Sequence, residues 1–168
     1  MVVLRAKRMA EMKAKHVEII ENKAKGHGQY TEIKEEEFLQ NVTASKFCVV
    51  HFYHADFERC KIVDMHLKKI AHDHTEAKFM TMNAEKAPFF VQKLQVQMLP
   101  EIVCFMDGVV LDRVCGFEEL GGKDEFPTIL LARRLVQTGV IKAKNRIEKG
   151  QMKISKKVRD DISDDEDN

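Results

Sequence analysis

The sequence lacks any long apolar run. No stretch approaches the roughly 18 to 20 apolar residues that a membrane span needs, and the N-terminus lacks the apolar core and cleavage site of a secretory signal. A large excess of one charge is also missing, because 28 Lys and Arg nearly balance 27 Asp and Glu. We therefore expect a cytoplasmic protein whose bulk charge favours neither nucleic acid nor a membrane surface.

Cysteine pairs and metal-binding motifs are absent as well. Neither CxxC nor HExxH occurs, which removes the usual zinc signatures. His72 and His74 lie in the polar segment AHDHTEAK, which we interpret as a solvated helix end. The cysteines are far apart in a chain long enough to fold without disulfides, so we expect reduced thiols and neither a metal nor a cofactor. They are Cys48, Cys60, Cys104 and Cys115.

The residues that are present suit one domain with two appendages. A chain of 168 residues that is 44% hydrophobic can bury one ordinary core. Residues 1–25 contain no Gly or Pro and are rich in Ala, Lys, Glu and Met, which predicts a charged helix. Its apolar positions are sparse, so we expect it to project or dock lightly, and both a partner-binding helix and a merely solvated one remain open. We predict a domain over residues 26–140 and a charged tail over 141–168.

The pattern inside that domain alternates strands with helices. The nearly continuous apolar run KFCVVHFY suits a central strand covered on both faces. A short helical segment around Glu35 to Asn41 precedes it, and residues 58–73 follow helical spacing. Further on lie a strand in AKFMTMN, a short helix in APFFVQKLQV, two strands around Asp107 and Gly108, and a helix in EFPTILLARRLVQTG. The order βαβαββα predicts an α/β fold with a mixed sheet flanked by helices.

Three segments give this order a specific resemblance. VVHFYHADFERCK is similar to the active-site segment of thioredoxins, MLPE to their cis-proline loop, and FMDGVVLDRVCGF to their last hairpin. The resemblance implies a thioredoxin-like fold with a cis bond before Pro100. It also places Phe57 at the attacking cysteine, Cys60 at the resolving cysteine, and His51 where thioredoxins keep a buried carboxylate.

Four further motifs narrow the resemblance. KGHGQY, HFYHADFERCKIVD, NAEKAPFF and GFEELGGKDEF occur in order and resemble the phosducin-like proteins, in the subgroup of thioredoxin domain-containing protein 9. Members of this subgroup are co-factors of the cytosolic chaperonin (TRiC) that modulate folding of actin and tubulin. The resemblance therefore implies a chaperonin co-factor built on a thioredoxin-like scaffold.

The chemistry open to Cys60 is limited. Thiol–disulfide exchange needs an attacking thiolate and a second thiol to release the mixed disulfide, and Phe57 supplies neither. A helix N-terminus beside Arg59 and Lys61 would favour the thiolate of an accessible Cys60. A buried structural thiol and a monothiol redox protein or thiol sensor, with the thioredoxin system as partner, are the alternatives. Cys115 is the only other plausible redox partner.

The predicted tail is divided by charge. Residues 142–159 hold eight Lys or Arg and one Glu, whereas residues 160–168 hold six acidic residues. Apolar residues are few, so we expect a flexible tail that docks electrostatically on a partner, although its two halves could also pair with each other. Ser163 precedes Asp164, Asp165 and Glu166, a context that resembles casein kinase 2 sites and predicts phosphorylation.

Overall fold

The computed structural model describes residues 2–144. The helices in this part of the chain are α1 (Val2–Ala24), α2 (Phe38–Ala44), α3 (Glu58–Asp73), α4 (Pro88–Lys93) and α5 (Thr128–Thr138). The strands are β1 (Tyr30–Glu32), β2 (Phe47–Tyr53), β3 (Ala77–Asn83), β4 (Glu101–Met106) and β5 (Val109–Cys115). None of these helices has the length and apolarity needed to cross a bilayer.

Helix α1 extends the domain at its N-terminus and contributes no buried side chain. It ends before Gly26 and Gly28, whose φ angles of 97° and 87° lie in the left-handed region that glycine adopts without strain. Between them His27 is buried: its Nδ1 donates to the carbonyl oxygen of Thr75 at 2.7 Å, and its Nε2 lies 2.7 Å from Ser45 Oγ. The predicted N-terminal helix is present, and His27 attaches its end to the domain.

The sheet is mixed, as the element order predicted. Its strand order is β1-β3-β2-β4-β5, with β1, β3 and β2 parallel and with β4 and β5 antiparallel to their neighbours. Strand β1 was not predicted. It has only three residues, Tyr30–Glu32, too few for a periodicity signal, and it is a strand because it pairs with β3.

Helices cover both faces of the sheet, because successive residues of buried β2 point to opposite sides. Val49 packs with the apolar side chains of α3 and α5, whereas Val50 and Phe52 pack with those of α2 and α4. This packing buries every residue from Cys48 to Phe52. The continuous apolar run therefore marks a strand covered on both sides, as predicted.

The last two strands form the predicted hairpin. Asp107 and Gly108 connect β4 to β5 with φ angles of 53° and 79°, the two left-handed residues of a tight hairpin turn. The peptide bond between Leu99 and Pro100 is cis, as the resemblance implied.

The solvated helix end predicted for His72 and His74 is wrong for His74. His72 is exposed, but His74 is buried at the end of α3, where its backbone N–H donates to the carbonyl oxygen of Ile70 at 2.9 Å. Its Nδ1 lies 2.8 Å from Oε1 of Glu76, so a carboxylate from the next loop replaces water as its partner.

The described chain continues past the predicted domain end. Ile141, which the prediction assigned to the tail, is 3% exposed and packs in the core below α3 and α5. Residues 145–168, with Ser163 and the predicted division into basic and acidic halves, lie outside the described residues and stay a prediction.

Candidate functional site

Phe57, which the resemblance places at the attacking thiol of thioredoxins, lies in the loop between β2 and α3. The N–H of Phe57 donates to the carbonyl oxygen of His54, and the N–H of Cys60 donates to that of Phe57, both at 3.1 Å. These bonds form the turn that starts α3. The Phe57 side chain is 45% exposed and stacks on the His54 ring with 4.6 Å between centroids. An aromatic stack therefore occupies the position that the resemblance assigns to the nucleophile.

The His54 ring is held from both sides. Its Nδ1 accepts the N–H of Asp56 at 3.0 Å, and its Nε2 pairs with the carboxylate of Glu85. The surface at the end of β2 is therefore a fixed aromatic patch with acidic neighbours.

Cys60 lies in the first turn of α3 but is only 1% exposed. Burial raises the pKa of its thiol, a hydrogen bond from the His54 backbone opposes that shift, and the nearby Asp64 carboxylate adds to it. The raised pKa leaves little thiolate at neutral pH, and burial restricts access to it. The geometry favours the buried structural thiol over the reactive one.

The basic neighbours of Cys60 have other partners. Arg59 donates to Asp124 at 2.8 Å and lies over the ring of Phe117, 4.9 Å from its centroid. Lys61 donates to Glu58 at 3.1 Å within the first turn of α3. The pKa of Cys60 is raised although both cations are its neighbours in sequence, so they do not provide the expected support for a thiolate.

His51 is fully buried beneath α3 and takes part in a polar cluster. Its Nδ1 donates to Oδ1 of Asp64 at 2.9 Å, and the Tyr30 hydroxyl donates to the same oxygen at 2.5 Å. Its Nε2 has no hydrogen-bond partner among the described residues. Asp64 and Tyr30 were not predicted as site residues. Asp64 could have been found from its position one helical turn after Cys60. Tyr30 could not, because its place beside the cluster depends on strand β1, which was not predicted.

The cis-proline loop leads to a second buried polar pair. Glu101, directly after Pro100, is 2% exposed and accepts a bond from the Cys115 thiol at 3.0 Å. Burial, followed by this bond to the carboxylate, raises the pKa of Cys115 to about 11. The four cysteines are all free thiols, so Cys60 forms no disulfide with Cys115. Within residues 2–144 no cluster of three or more His, Cys, Asp or Glu could hold a metal ion.

These features define a thioredoxin-like domain, with Phe57 at the position that the resemblance assigns to the first active-site cysteine. Residues 29–124 match the thioredoxin family model. The chain is 45% identical over 140 residues to phosducin-like protein 3 of Dictyostelium discoideum, covering 80% of this chain and 76% of that protein. It is 38% identical over 139 residues to human thioredoxin domain-containing protein 9, covering 82% and 62%. The chain therefore belongs to the thioredoxin family, in the group of phosducin-like protein 3 and thioredoxin domain-containing protein 9.

A plant relative extends the comparison. Thioredoxin domain-containing protein PLP3B of Arabidopsis thaliana is 47% identical over 126 residues, 75% of this chain. The chain spans 55% of the length of that protein and 60% of the length of the related Arabidopsis protein PLP3A.

Solved thioredoxin structures share the fold at low sequence identity. The oxidised thioredoxin of Plasmodium falciparum superposes with a TM-score of 0.56 at 13% identity, covering 67% of this chain and 99% of that one. Mitochondrial thioredoxin 3 of Saccharomyces cerevisiae gives a TM-score of 0.52 at 18% identity, covering 66% and 92%.

Proposed function

We propose that this protein is a non-catalytic, phosducin-like co-factor that binds the cytosolic chaperonin TRiC in the cytoplasm and modulates folding of actin and tubulin. The single observation that carries the non-catalytic part is Phe57 at the attacking position above a buried Cys60. A domain with this geometry presents surfaces for binding and has no thiol pair for exchange. The phosducin-like names of its relatives support the family, and the choice of partner follows from the resemblance to that family.

Helix α1 is the contact element in this proposal. None of its side chains is buried, although a long helix in water normally gains most of its stability by packing an apolar face. Six Lys or Arg and three Glu surround its apolar side chains, so an acidic surface with an apolar groove complements it. The exposed apolar residues are Val2, Val3, Leu4, Met9, Met12, Val17, Ile19 and Ile20.

The test compares binding of purified chaperonin by the full chain and by a chain that begins at Gly26. We expect the shortened chain to lose most binding and to keep its unfolding temperature, because α1 buries no side chain in the domain. Two double variants test whether binding depends on the apolar side chains of α1 or on exposed apolar side chains in general. Met9→Ser with Met12→Ser should weaken binding, whereas Leu39→Ser with Val109→Ser, at exposed positions of the domain, should not. Equal binding by all forms would refute α1 as the contact element.

The competing proposal is a monothiol redox protein or thiol sensor that acts through Cys60 with the thioredoxin system. The burial of Cys60 and its raised pKa count against it. Insulin reduction in the presence of thioredoxin reductase separates the two. Turnover that disappears in Cys60→Ser would favour the redox role, and no turnover would favour the binding role.

A further inference from the structure

Two distant parts of the chain are attached to the same loop. His27, three residues beyond α1, donates to the carbonyl oxygen of Thr75 at 2.7 Å. Near the end of the described residues, the N–H of Lys142 donates to Oε1 of Glu76, the next residue of that loop, at 3.0 Å. Lys142 therefore lies near the C-terminal end of α1.

Charge along α1 is unevenly distributed. Its first part carries Arg5, Lys7 and Arg8 with no acidic residue before Glu11. The last part carries Glu18 and Glu21 between Lys15 and Lys23, so its charges balance. The N-terminal part of α1 is thus basic, and the part attached to the domain is mixed.

The charges of the sequence after Lys144 also change along its length. A basic block to residue 159 comes first, and six acidic residues follow between 160 and 168. A segment that runs back along α1 from its attached end therefore brings basic residues to Glu18 and Glu21, and acidic residues to Arg5, Lys7 and Arg8. Opposite charges therefore meet at the basic N-terminal part of α1, whereas the basic block lies along the part of α1 whose charges balance.

Length and apolar spacing agree with the arrangement. The 23 residues of α1 span about 34 Å at about 1.5 Å per residue. The residues from 145 to 160 cover about 24 Å even at the short helical rise, which is enough to bring the acidic end alongside Arg8. Ile154, Val158 and Ile162 recur every four residues, a spacing that places them on one side to meet exposed Met9 and Met12.

We propose that residues 145–168 dock antiparallel on α1, with the acidic end on the basic patch Arg5, Lys7 and Arg8. The shared attachment at Thr75 and Glu76 gives the segment a high effective concentration at the helix. Any partner that binds the same face of α1 competes with this segment. The contact is a property of the isolated chain and does not depend on the proposed function.

The experiment places a nitroxide spin label on the full chain at Glu166→Cys in a Cys115→Ser background, since the other three cysteines are buried. The label should broaden the amide resonances of Arg5 to Arg8. About 1 M salt, which shortens the Debye length to about 3 Å, should restore most of their intensity. Mixing the labelled chain with an unlabelled, isotope-enriched chain should leave those resonances sharp, because the contact is intramolecular.

Charge reversal supplies the matched control. Arg5→Glu, Lys7→Glu and Arg8→Glu together should abolish the broadening, while acidic residues near a helix N-terminus keep α1 formed, as circular dichroism will show. Lys68→Glu with Lys69→Glu, on α3, should leave the broadening unchanged. Sharp α1 resonances in the labelled parent chain overturn the proposal. Broadening confined to residues 142–159, which means that the two halves of the tail pair with each other, also overturns it.

Discussion

The Nδ1 atom of His51 donates a hydrogen bond to Oδ1 of Asp64 at 2.9 Å, and this bond joins β2 to α3 inside the protein. The His51 ring is fully buried, whereas the Asp64 side chain is 36% exposed at the edge of the helix. The Tyr30 hydroxyl donates to the same carboxylate oxygen, so strand β1 is attached to this cluster as well. One carboxylate thus holds polar groups from two strands against α3.

Removal of that carboxylate should destabilise the fold. Asp64→Ala removes the acceptor that the His51 ring and the Tyr30 hydroxyl share, leaving only their mutual contact at 3.0 Å, and an unsatisfied buried group costs about 1–3 kcal/mol. Urea unfolding will measure the loss. Asp124→Ala, which removes an exposed ion pair with Arg59, is the control and should cost less than about 1 kcal/mol. Equal losses for the two variants would mean that the buried cluster contributes no more to the free energy of unfolding than the exposed ion pair does.

Restoring the missing thiol should restore exchange chemistry. Phe57→Cys creates the CxxC spacing with Cys60 at the start of α3, in a side chain that is already half exposed. We expect this variant to reduce insulin in the presence of thioredoxin reductase, and we expect the parent chain not to do so. Phe57→Ser removes the same aromatic stack without adding a thiol and should stay inactive. An inactive Phe57→Cys variant with a correctly folded domain would show that other parts of the site prevent exchange.

Cys60→Ser should leave the proposed chaperonin binding largely intact, because the buried sulfur contributes almost no exposed surface. The hydroxyl in an apolar site should lower stability by about 1–3 kcal/mol. Binding of the purified chaperonin and unfolding of the variant are measured together. Weaker binding by a folded variant would shift the interpretation toward redox control through this thiol.

His27 should make stability depend on pH. Burial lowers its pKa from the ordinary 6.5, with help from Lys78 and Lys25 and against its bond to Thr75. As the pH falls, His27 therefore becomes protonated in the unfolded chain before it does so in the folded one. The stabilisation is complete above pH 6.5 and is lost as the pH falls below that value.

The measurement is urea unfolding across that pH range. His27→Gln should reduce stability at neutral pH by about 1–3 kcal/mol and flatten the pH dependence. Part of the slope should remain, because burial also lowers the pKa of His66. His72→Gln, at an exposed position of α3, is the control. An unchanged slope in His27→Gln would rule out this histidine as its origin.

The sequence determined the features that depend on near neighbours. The helix over 1–25, the buried strand at KFCVVHFY and the turn at Asp107 and Gly108 follow from composition, periodicity and local φ preferences, which act over a few residues. The loss of the attacking thiol is also fixed by sequence, because Phe57 has no sulfur in any fold.

Only the tertiary structure decided the features that join distant residues. Tyr30 and Asp64 are 34 positions apart in the sequence, and Arg59 and Asp124 are 65 apart, so no local pattern predicts either pair. The first contact links β1 to the polar cluster. The second pairs Asp124 with Arg59, the cation that was expected to favour a thiolate at Cys60. Burial of Cys60 and His74 has the same origin, because exposure depends on which elements the fold packs over a side chain.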